Sequence, residues 1–398
     1  MKKETSFIEF VALMALLSAM TALAIDAVLP AMGVMATALD MNDPNNSQLI
    51  ISFLFAGMAF GQVIYGPLSD SFGRKKLIYV GLIIYIMGCF FSMYSENFEL
   101  MLLGRFLQGL GAASPRIVSV ALIRDRFEGR EMAQVMSFVM GVFILVPALA
   151  PAIGQGVMSL FGWRAIFAVF LAVALVALIW FALRQRETLV HPVPFSWHHI
   201  VHAIQKTLSN TTAFGYTIII GLVFGAFVGY LELAQPIFQQ IYAKGESFVL
   251  YFGVFALSIG MASFVNGRLV MRFGMRRLSV LALAVTAIVS ALYYMLALYY
   301  GGVPPFGTFM AYGLIILFCQ GLLFGNLNAM AMEPLGSIAG IGAAVVGSIS
   351  TFIAVGSGMI VGQFYNGTLL SLVGGFALLS AASLVLLAWM RHQTMRHV

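Results

Sequence analysis

About twelve apolar blocks run through this chain, each roughly 18–25 residues long and almost without charged side chains. A helix of about 20 residues crosses the hydrocarbon core of a bilayer, so each block predicts a transmembrane helix. Membrane-spanning strands would alternate apolar and polar residues, whereas these blocks are apolar without a break. Charged residues are only 9% of the chain, which is too little charge to cover a water-soluble surface. The blocks lie at residues 7–31, 47–67, 77–95, 99–123, 132–158, 163–183, 213–239, 248–268, 278–300, 307–331, 338–362 and 370–390.

Basic residues are concentrated in the loops on one side of this arrangement, namely Lys2, Lys3, Arg74, Lys75, Lys76, Arg124, Arg126, Arg130, Arg184, Arg186, Lys206, Arg268, Arg272, Arg276, Arg277, Arg391 and Arg396. The opposite loops contain Asp40, Asp43, Glu96 and Glu99, with Lys244 and the border residue Arg164 as exceptions. Cytoplasmic loops of membrane proteins are enriched in Lys and Arg, so both termini are predicted to be cytoplasmic. The net charge of +6 therefore reflects topology and does not indicate a nucleic-acid partner. A cleaved signal peptide ending near Ala24 is the alternative for the first block, and it would leave one span fewer.

The two halves of the chain resemble each other at three places that occur in the same order. Asp26 stands four residues before Pro30, and Glu232 stands four residues before Pro236. The segment GPLSDSFGRKK aligns with the later GRLVMRFGMRR, and FLQG aligns with the later FCQG. The pattern predicts two pseudo-symmetric six-helix bundles, at residues 1–184 and 213–398. Parallel six-span repeats of this kind place a substrate site near mid-membrane, between the halves.

The segment 185–212 separates the halves and is the longest polar stretch of the chain. It predicts a short helix on the cytoplasmic membrane surface, because apolar residues share one helical face, namely Trp197, Ile200, Val201, Ile204 and Leu208. Four of the six histidines also lie in this segment, namely His191, His198, His199 and His202. No carboxylate or thiol joins them at ligand spacing, so we predict no metal site.

The loop GPLSDSFGRKK resembles the signature loop of the major facilitator superfamily, at its usual place between spans two and three. Gly66 permits close helix approach, and Gly73 permits a tight turn. Asp70 is expected beside the positive N-terminus of a neighbouring helix, paired with a basic residue on a facing loop. This pairing would latch the cytoplasmic side shut when the transporter faces outward, and Arg74 is a further candidate gating residue of the same loop. Met271 occupies the position of Asp70 in the second half, so the latch is expected to be asymmetric.

The fourth span contains RFLQGLGA, which resembles the superfamily motif of proton-coupled members. A buried arginine stays charged and needs a partner. Spans one and four are neighbours in that fold, so the resemblance implies that Arg105 pairs with Asp26. A membrane-embedded carboxylate is costly and marks a functional site, so Asp26 is predicted to be the main proton carrier. Glu232 is predicted to be a second carboxylate, which serves either the proton or the substrate.

The fifth span ends in PALAPAIGQG, which resembles the antiporter motif of twelve-span drug exporters. Pro147, Pro151 and Gly154 are expected to kink this span and to allow close packing against another helix. The match departs from the family pattern at two positions, because Val146 and Gln155 stand where glycines are usual. Despite these two departures, the motif supports antiport.

Together with AIDAVLPA in span one and AGIGAAVVG in span eleven, these motifs resemble the Bcr/CflA-type drug:proton antiporters over nearly the whole chain. The resemblance implies a monomeric transporter of the bacterial inner membrane, which exports small amphiphilic molecules or drugs by alternating access. Protons would be the coupling ion, and no other cofactor or metal is predicted. An exporter of one metabolite or siderophore by the same mechanism is the alternative, and the sequence leaves the cargo open.

An enzyme is not predicted, because no histidine lies within a span and no cluster of nucleophiles and acids does. Polar and aromatic side chains within the spans are instead candidates for a substrate cavity, namely Gln108, Arg116, Tyr230, Gln320, Asn326 and Asn328. Arg116 lies eleven positions after Arg105, which places both about 20° apart on the same helix face. A second cation there suits either an anionic cargo group or a carboxylate, and snorkelling to the membrane surface is the alternative.

Overall fold

A computed structural model of the chain describes residues 6–41, 44–189, 196–245 and 247–396, and the regular structure in these residues is helical throughout. The α-helices are α1 Phe7–Asp26, α2 Met32–Ala38, α3 Leu49–Phe72, α4 Arg74–Met93, α5 Phe98–Arg126, α6 Gly129–Phe161, α7 Arg164–Arg184, α8 Trp197–Ser209, α9 Thr211–Gln235, α10 Phe248–Phe273, α11 Met275–Tyr299, α12 Phe306–Met332, α13 Ala339–Gln363 and α14 Leu370–Arg396. Short 3-10 helices occupy Leu29–Ala31, Pro44–Gln48 and Glu333–Ile338, and a π-helix occupies Pro236–Ile241. The predicted all-α fold is confirmed.

Eleven helical stretches of the described residues are long and apolar enough to cross a membrane. The first, Phe7–Ala38, is longer than the predicted block because it includes α1, a 3-10 turn and α2. The remaining predicted block, 132–158, lies within the 33 residues of α6. Each predicted block thus coincides with a helix.

The chain forms two compact units, residues 1–200 and 201–398, which divide within α8. The first unit holds α1 to α7 and the second holds α9 to α14, so each contains six of the predicted spans. α8 forms at the place where the sequence predicts the linker helix. His191 and the rest of 190–195 lie outside the described residues.

α5 packs against both α3 and α4 with its backbone in direct contact at glycine positions. A Cβ on Gly109 would lie 1.8 Å from the carbonyl oxygen of Leu54 in α3. A Cβ on Gly111 would lie 2.3 Å from the backbone nitrogen of Tyr85 in α4. Small residues allow such close packing in membranes, where lipid supplies no hydrophobic drive between helices. The contacts fix the position of Arg105, which α5 carries, relative to both neighbours.

Candidate functional site

Each of the two membrane acids lies where its span becomes irregular. Proline has no N–H group, so Pro30 and Pro236 cannot donate the usual helical hydrogen bond to the carbonyls of Asp26 and Glu232. α1 accordingly ends at Asp26 and continues as a 3-10 turn. α9 gives way to the π-helix at Pro236. The spacing between acid and proline therefore interrupts the regular helix beside each carboxylate.

Asp26 is buried in the first unit, with 4% of its surface exposed. α6 packs directly beside it, because a Cβ on Gly154 would lie only 1.9 Å from the carbonyl oxygen of Ala27. Pro147 and Pro151 lie in the preceding turns of α6, which continues through both as one helix. The structure thus has the close packing that the antiporter-like motif predicts, and the partner of α6 is the acid-bearing helix.

Arg105 is fully buried on α5 and donates three hydrogen bonds. Its Nη2 donates to the carbonyl of Ala24 at 2.8 Å, its Nε to the carbonyl of Ile50 at 3.1 Å, and its Nη1 to Oε1 of Gln108 at 2.7 Å. The implied ion pair with Asp26 is not formed, since the guanidinium contacts α1 two residues before the acid. Ala24 lies in the last turn of α1, where the carbonyls form the negative end of the helix dipole and attract a cation.

Two buried glutamines occupy equivalent places in the two units but have different surroundings. Gln108 accepts a hydrogen bond from Arg105 and donates through Nε2 to Sγ of Cys89 at 3.2 Å, so both ends of its amide are engaged. Gln320 is equally buried, yet neither of its amide atoms has a hydrogen-bond partner among the described residues. Leu317 stands where the first unit has Arg105, so the second unit lacks the cation that binds Gln108.

Three further cavity candidates divide into one buried and two exposed side chains. Asn326 is buried and exchanges two hydrogen bonds with Asn266 of α10, at 3.1 and 2.8 Å. Arg116 and Asn328 lie at exposed positions of α5 and α12. Asn266 is not predictable from the sequence, because a single asparagine beside the repeated loop forms no pattern with its neighbours.

Glu232 and Tyr230 lie close together along α9, and both are buried. The ring of Tyr230 faces α10, where its centroid stacks 5.9 Å from that of Phe252. Residues two apart on a helix point about 200° from each other, so Glu232 faces away from this ring. It lies toward the side on which Gly229 contacts Val361 of α13. The carboxylate and the aromatic face of the second unit are therefore two separate features.

Arg74 binds two acids at the end of α3 and α5. Its Nη1 lies 2.5 Å from Oδ1 of Asp70, and its Nε donates to Oδ2 of Asp125 at 3.0 Å. Nη1 also donates to Oγ of Ser69 at 2.7 Å, and that hydroxyl donates to the carbonyl of Gly66 at 2.9 Å. The sequence predicts a partner for Asp70 on a facing loop, whereas in the structure the partner is Arg74 of the same loop. The facing helix α5 supplies a second acid instead of a base.

Glu187, just after α7, caps the N-terminus of α4. Its Oε1 accepts a hydrogen bond from the backbone N–H of Arg74, and its Oε2 accepts one from the backbone N–H of Lys75, each with an N···O distance of 3.0 Å. The hydroxyl of Thr188 donates to Asp125 at 3.1 Å, so this segment also joins the acids around Arg74. The first N–H groups of a helix have no partner within it, and a carboxylate is stabilised at that positive end. Glu187 is therefore the side chain that caps α4.

Gly73 and its equivalent in the second unit, Gly274, both have a positive φ, at 104° and 77°. A residue with a side chain would be strained at either position. Alanine at either position costs about 1–3 kcal/mol. A Cβ on Gly73 would also lie 2.5 Å from Oε2 of Glu187, whereas nothing lies within 4 Å of a Cβ on Gly274. We expect Gly73→Ala to lower the free energy of unfolding more than Gly274→Ala does, because Glu187 must leave the N–H groups that it caps.

The measurement is the midpoint of thermal unfolding in detergent for both variants, with each also made in a Glu187→Ala background. We expect Gly73→Ala to cost about 1.5–3 kcal/mol more than Gly274→Ala, the value of hydrogen bonds to a charged group. This difference between the two variants should disappear when Glu187 is replaced by alanine. An excess that persists without the carboxylate would show that Glu187 has no part in it.

The chain is similar to membrane transporters in sequence and in fold. A family model described as Major Facilitator Superfamily matches residues 14–356. The chain is 28% identical over 367 residues to a bicyclomycin resistance protein homolog from Haemophilus influenzae, covering 91% of this chain and 90% of that one. It is 28% identical over 307 residues to an uncharacterised MFS-type transporter, YdgK, from Bacillus subtilis, with 76% of each chain covered. It is 26% identical over 321 residues to multidrug resistance protein MdtL from Escherichia fergusonii, with 79% of each covered.

Two solved transporter structures share the fold. A peptide transporter POT in complex with sulfate matches with a TM-score of 0.74 at 14% sequence identity, over 97% of this chain and 94% of that one. The POT family transporter PepTSo matches with a TM-score of 0.70 at 14% identity, over 98% and 99% of the two chains. The likeness at this identity concerns the fold alone.

Proposed function

Because the chain belongs to the Major Facilitator Superfamily, we propose that it exports small amphiphilic, drug-like molecules across a bacterial inner membrane in exchange for protons. The names of its relatives support this cargo class, since the H. influenzae relative is named for bicyclomycin resistance and the E. fergusonii relative for multidrug resistance. None of the relatives named above is a metabolite or siderophore exporter by name, so the broader cargo class is favoured.

One observation carries the proposed coupling to protons. Asp26 is buried at the break of the first span, while the nearby cation Arg105 binds the backbone of the same helix. A protonated Asp26 is neutral and leaves Arg105 on the carbonyl of Ala24. Once Asp26 loses its proton, its carboxylate competes for the guanidinium, because opposite charges attract strongly away from water. We propose that Arg105 moves between these two acceptors as the proton leaves and returns.

Such a movement would affect three helices at once. Arg105 belongs to α5 and binds carbonyls of Ala24 in α1 and Ile50 in α3. The segment after Asp26 also contacts α6 at Gly154 through the backbone. A change in the charge of Asp26 would therefore alter the contacts that Arg105 makes between α1, α3 and α5. These contacts lie beside the close backbone contact of α6 with the segment after Asp26. Through these contacts, gain or loss of the proton would change the packing of the helices in the first unit.

The second unit offers groups suited to an amphiphilic cargo. Glu232 would attract a cationic group or carry a second proton, and Tyr230, whose ring stacks on Phe252, would help to form an apolar wall beside the cargo. Gln320 has no hydrogen-bond partner among the described residues, and an unsatisfied buried amide costs about 1–3 kcal/mol. A cargo that supplies both a donor and an acceptor to this amide would remove that cost.

The remaining parts of the proposal concern the setting of the transporter. The distribution of basic residues supports cytoplasmic termini. Members of the superfamily move solutes, so we propose no enzymatic activity and no cofactor besides the coupling proton. We propose that the chain works as a monomer.

The test is transport by everted membrane vesicles that contain the protein and are acidified inside. We expect uptake of ethidium, a cationic dye, and of chloramphenicol, a neutral drug, and we expect both to stop when a protonophore removes the gradient. Uptake that continues without the gradient, or the absence of uptake of either compound, would refute the proposal. In the same vesicles, a loss confined to ethidium in Glu232→Gln assigns Glu232 to cargo, and a loss of both compounds assigns it to the proton.

A further inference from the structure

A shallow groove of about 420 Å³ runs along an exposed face of α7 in the first unit. Three apolar residues of its wall recur every three or four positions, so they form one stripe about 10 Å long. Their side chains are between 57% and 60% exposed, which leaves the stripe uncovered by the rest of the described chain. The polar residues are gathered at one end. The groove is lined by Val176, Ile179, Trp180, Leu183 and Arg184 of α7 and by Glu9 of α1.

The polar end is an ion pair with hydrogen-bonding capacity left over. Arg184 donates through Nε and Nη2 to the two carboxylate oxygens of Glu9, at 2.5 and 2.6 Å, and Nε1 of Trp180 donates to Glu9 at 3.2 Å. A guanidinium has five N–H donors, so three remain to Arg184 beyond its bonds to the described residues. A carboxylate has about four acceptor sites, and these bonds use three of them.

We propose that this groove binds a zwitterionic phospholipid whose headgroup carries a primary ammonium, as in phosphatidylethanolamine. The phosphodiester would accept hydrogen bonds from Arg184, because a guanidinium matches the geometry of two phosphate oxygens. The ammonium would donate to the remaining acceptor site of Glu9. One acyl chain would follow the apolar stripe from Leu183 to Val176.

The position of the ion pair along the helices suits a headgroup. Glu9 lies in the first turn of α1 and Arg184 in the last turn of α7, so both are at the end of a span. Trp180 lies one turn inward, and tryptophan is enriched at the level where headgroups meet acyl chains. The apolar stripe extends from this end toward the interior of the span, which is the direction that an acyl chain takes.

Charge and donor chemistry select this headgroup from the common ones. Glu9 and Arg184 together have no net charge, so a zwitterion leaves no charge uncompensated at the site. Phosphatidylglycerol adds a negative charge and has no ammonium for Glu9. Phosphatidylcholine is zwitterionic, but its quaternary ammonium has no N–H group to donate. The site uses none of the residues assigned to proton coupling, so it stands independently of the proposed transport cycle.

The experiment titrates delipidated protein in detergent with dioleoyl phosphatidylethanolamine and counts bound lipids by native mass spectrometry. We expect Arg184→Ala and Glu9→Gln each to bind this lipid about tenfold or more weakly, the effect of losing a hydrogen bond to a charged group. Arg186→Ala is the matched control, because it removes an exposed arginine two residues away and should bind like the wild type. We expect the wild type to bind phosphatidylcholine and phosphatidylglycerol weakly. Their affinities should match those of Arg184→Ala and Glu9→Gln for phosphatidylethanolamine.

A second measurement does not depend on the stability of these variants. Phosphatidylethanolamine with brominated acyl chains should quench part of the tryptophan fluorescence, and that part should be missing in Trp180→Phe. Equal binding of all three lipids would overturn the proposed headgroup. Equal binding of phosphatidylethanolamine by the wild type and by both ion-pair variants, or quenching that survives in Trp180→Phe, would overturn the site.

Discussion

Asp26→Asn is expected to abolish proton-driven export while the protein still folds and binds cargo. Asparagine keeps the size of the side chain but cannot gain or lose a proton, so the first unit has no carrier for the exchange. A positioned proton-transfer group typically contributes about a hundredfold or more, and we expect transport in acidified vesicles to fall by at least that factor. In weakly buffered detergent solution, ethidium should release protons from the wild type and none from the variant.

Asp40→Asn is the matched control for this change. Asp40 is an exposed acid after α2 with a positive φ of 48°. Asparagine adopts this conformation as readily as aspartate does, so the control removes one acid without adding strain. It should transport and release protons like the wild type. Unchanged proton release in Asp26→Asn would eliminate Asp26 as the carrier, and equal losses in both variants would indicate a general effect of acidic charge.

The helices were the most predictable part of this protein. Bilayer thickness sets their length, and each predicted apolar block coincides with a helix of the structure. The interruptions beside Asp26 and Glu232 were less predictable, because α1 and α9 break near Pro30 and Pro236 whereas α6 continues through Pro147 and Pro151 as one helix. The sequence holds the length of each span in consecutive residues, so no knowledge of the packing is needed to predict it.

The partners of the charged side chains were less predictable, because backbone groups compete for them. The family resemblance implies that Arg105 binds Asp26, but Arg105 binds the carbonyls of Ala24 and Ile50. A backbone carbonyl is present at every residue, so no sequence pattern shows which one a buried guanidinium will reach. The capping role of Glu187 is not predictable for a related reason. Its partners are the N–H groups at the start of α4, which are far away along the chain and carry no residue-specific signal.

Gly154→Ala is expected to disrupt the contact between α6 and α1, with a loss of both stability and transport. The added Cβ would lie 1.9 Å from the carbonyl oxygen of Ala27 and 2.7 Å from its carbonyl carbon. Backbone atoms cannot rotate away as the end of a side chain can, so one helix must move relative to the other. Overpacking costs about 1–3 kcal/mol, and we expect the free energy of unfolding to fall by at least that amount. Ethidium transport should fall too, because the displaced backbone adjoins Asp26.

Gly156→Ala tests whether this effect belongs to the contact or to the helix. Nothing lies within 4 Å of a Cβ at Gly156, two residues further along α6. Alanine is favoured over glycine in a helix by about 1 kcal/mol, so this variant should unfold at the same midpoint as the wild type or above it. Opposite signs for two glycine-to-alanine changes within one turn would assign the cost to the contact with Ala27, since helix propensity acts in the same direction at both positions. Wild-type unfolding and transport in Gly154→Ala would mean that α1 and α6 separate without cost, and that the proton site does not depend on their close packing.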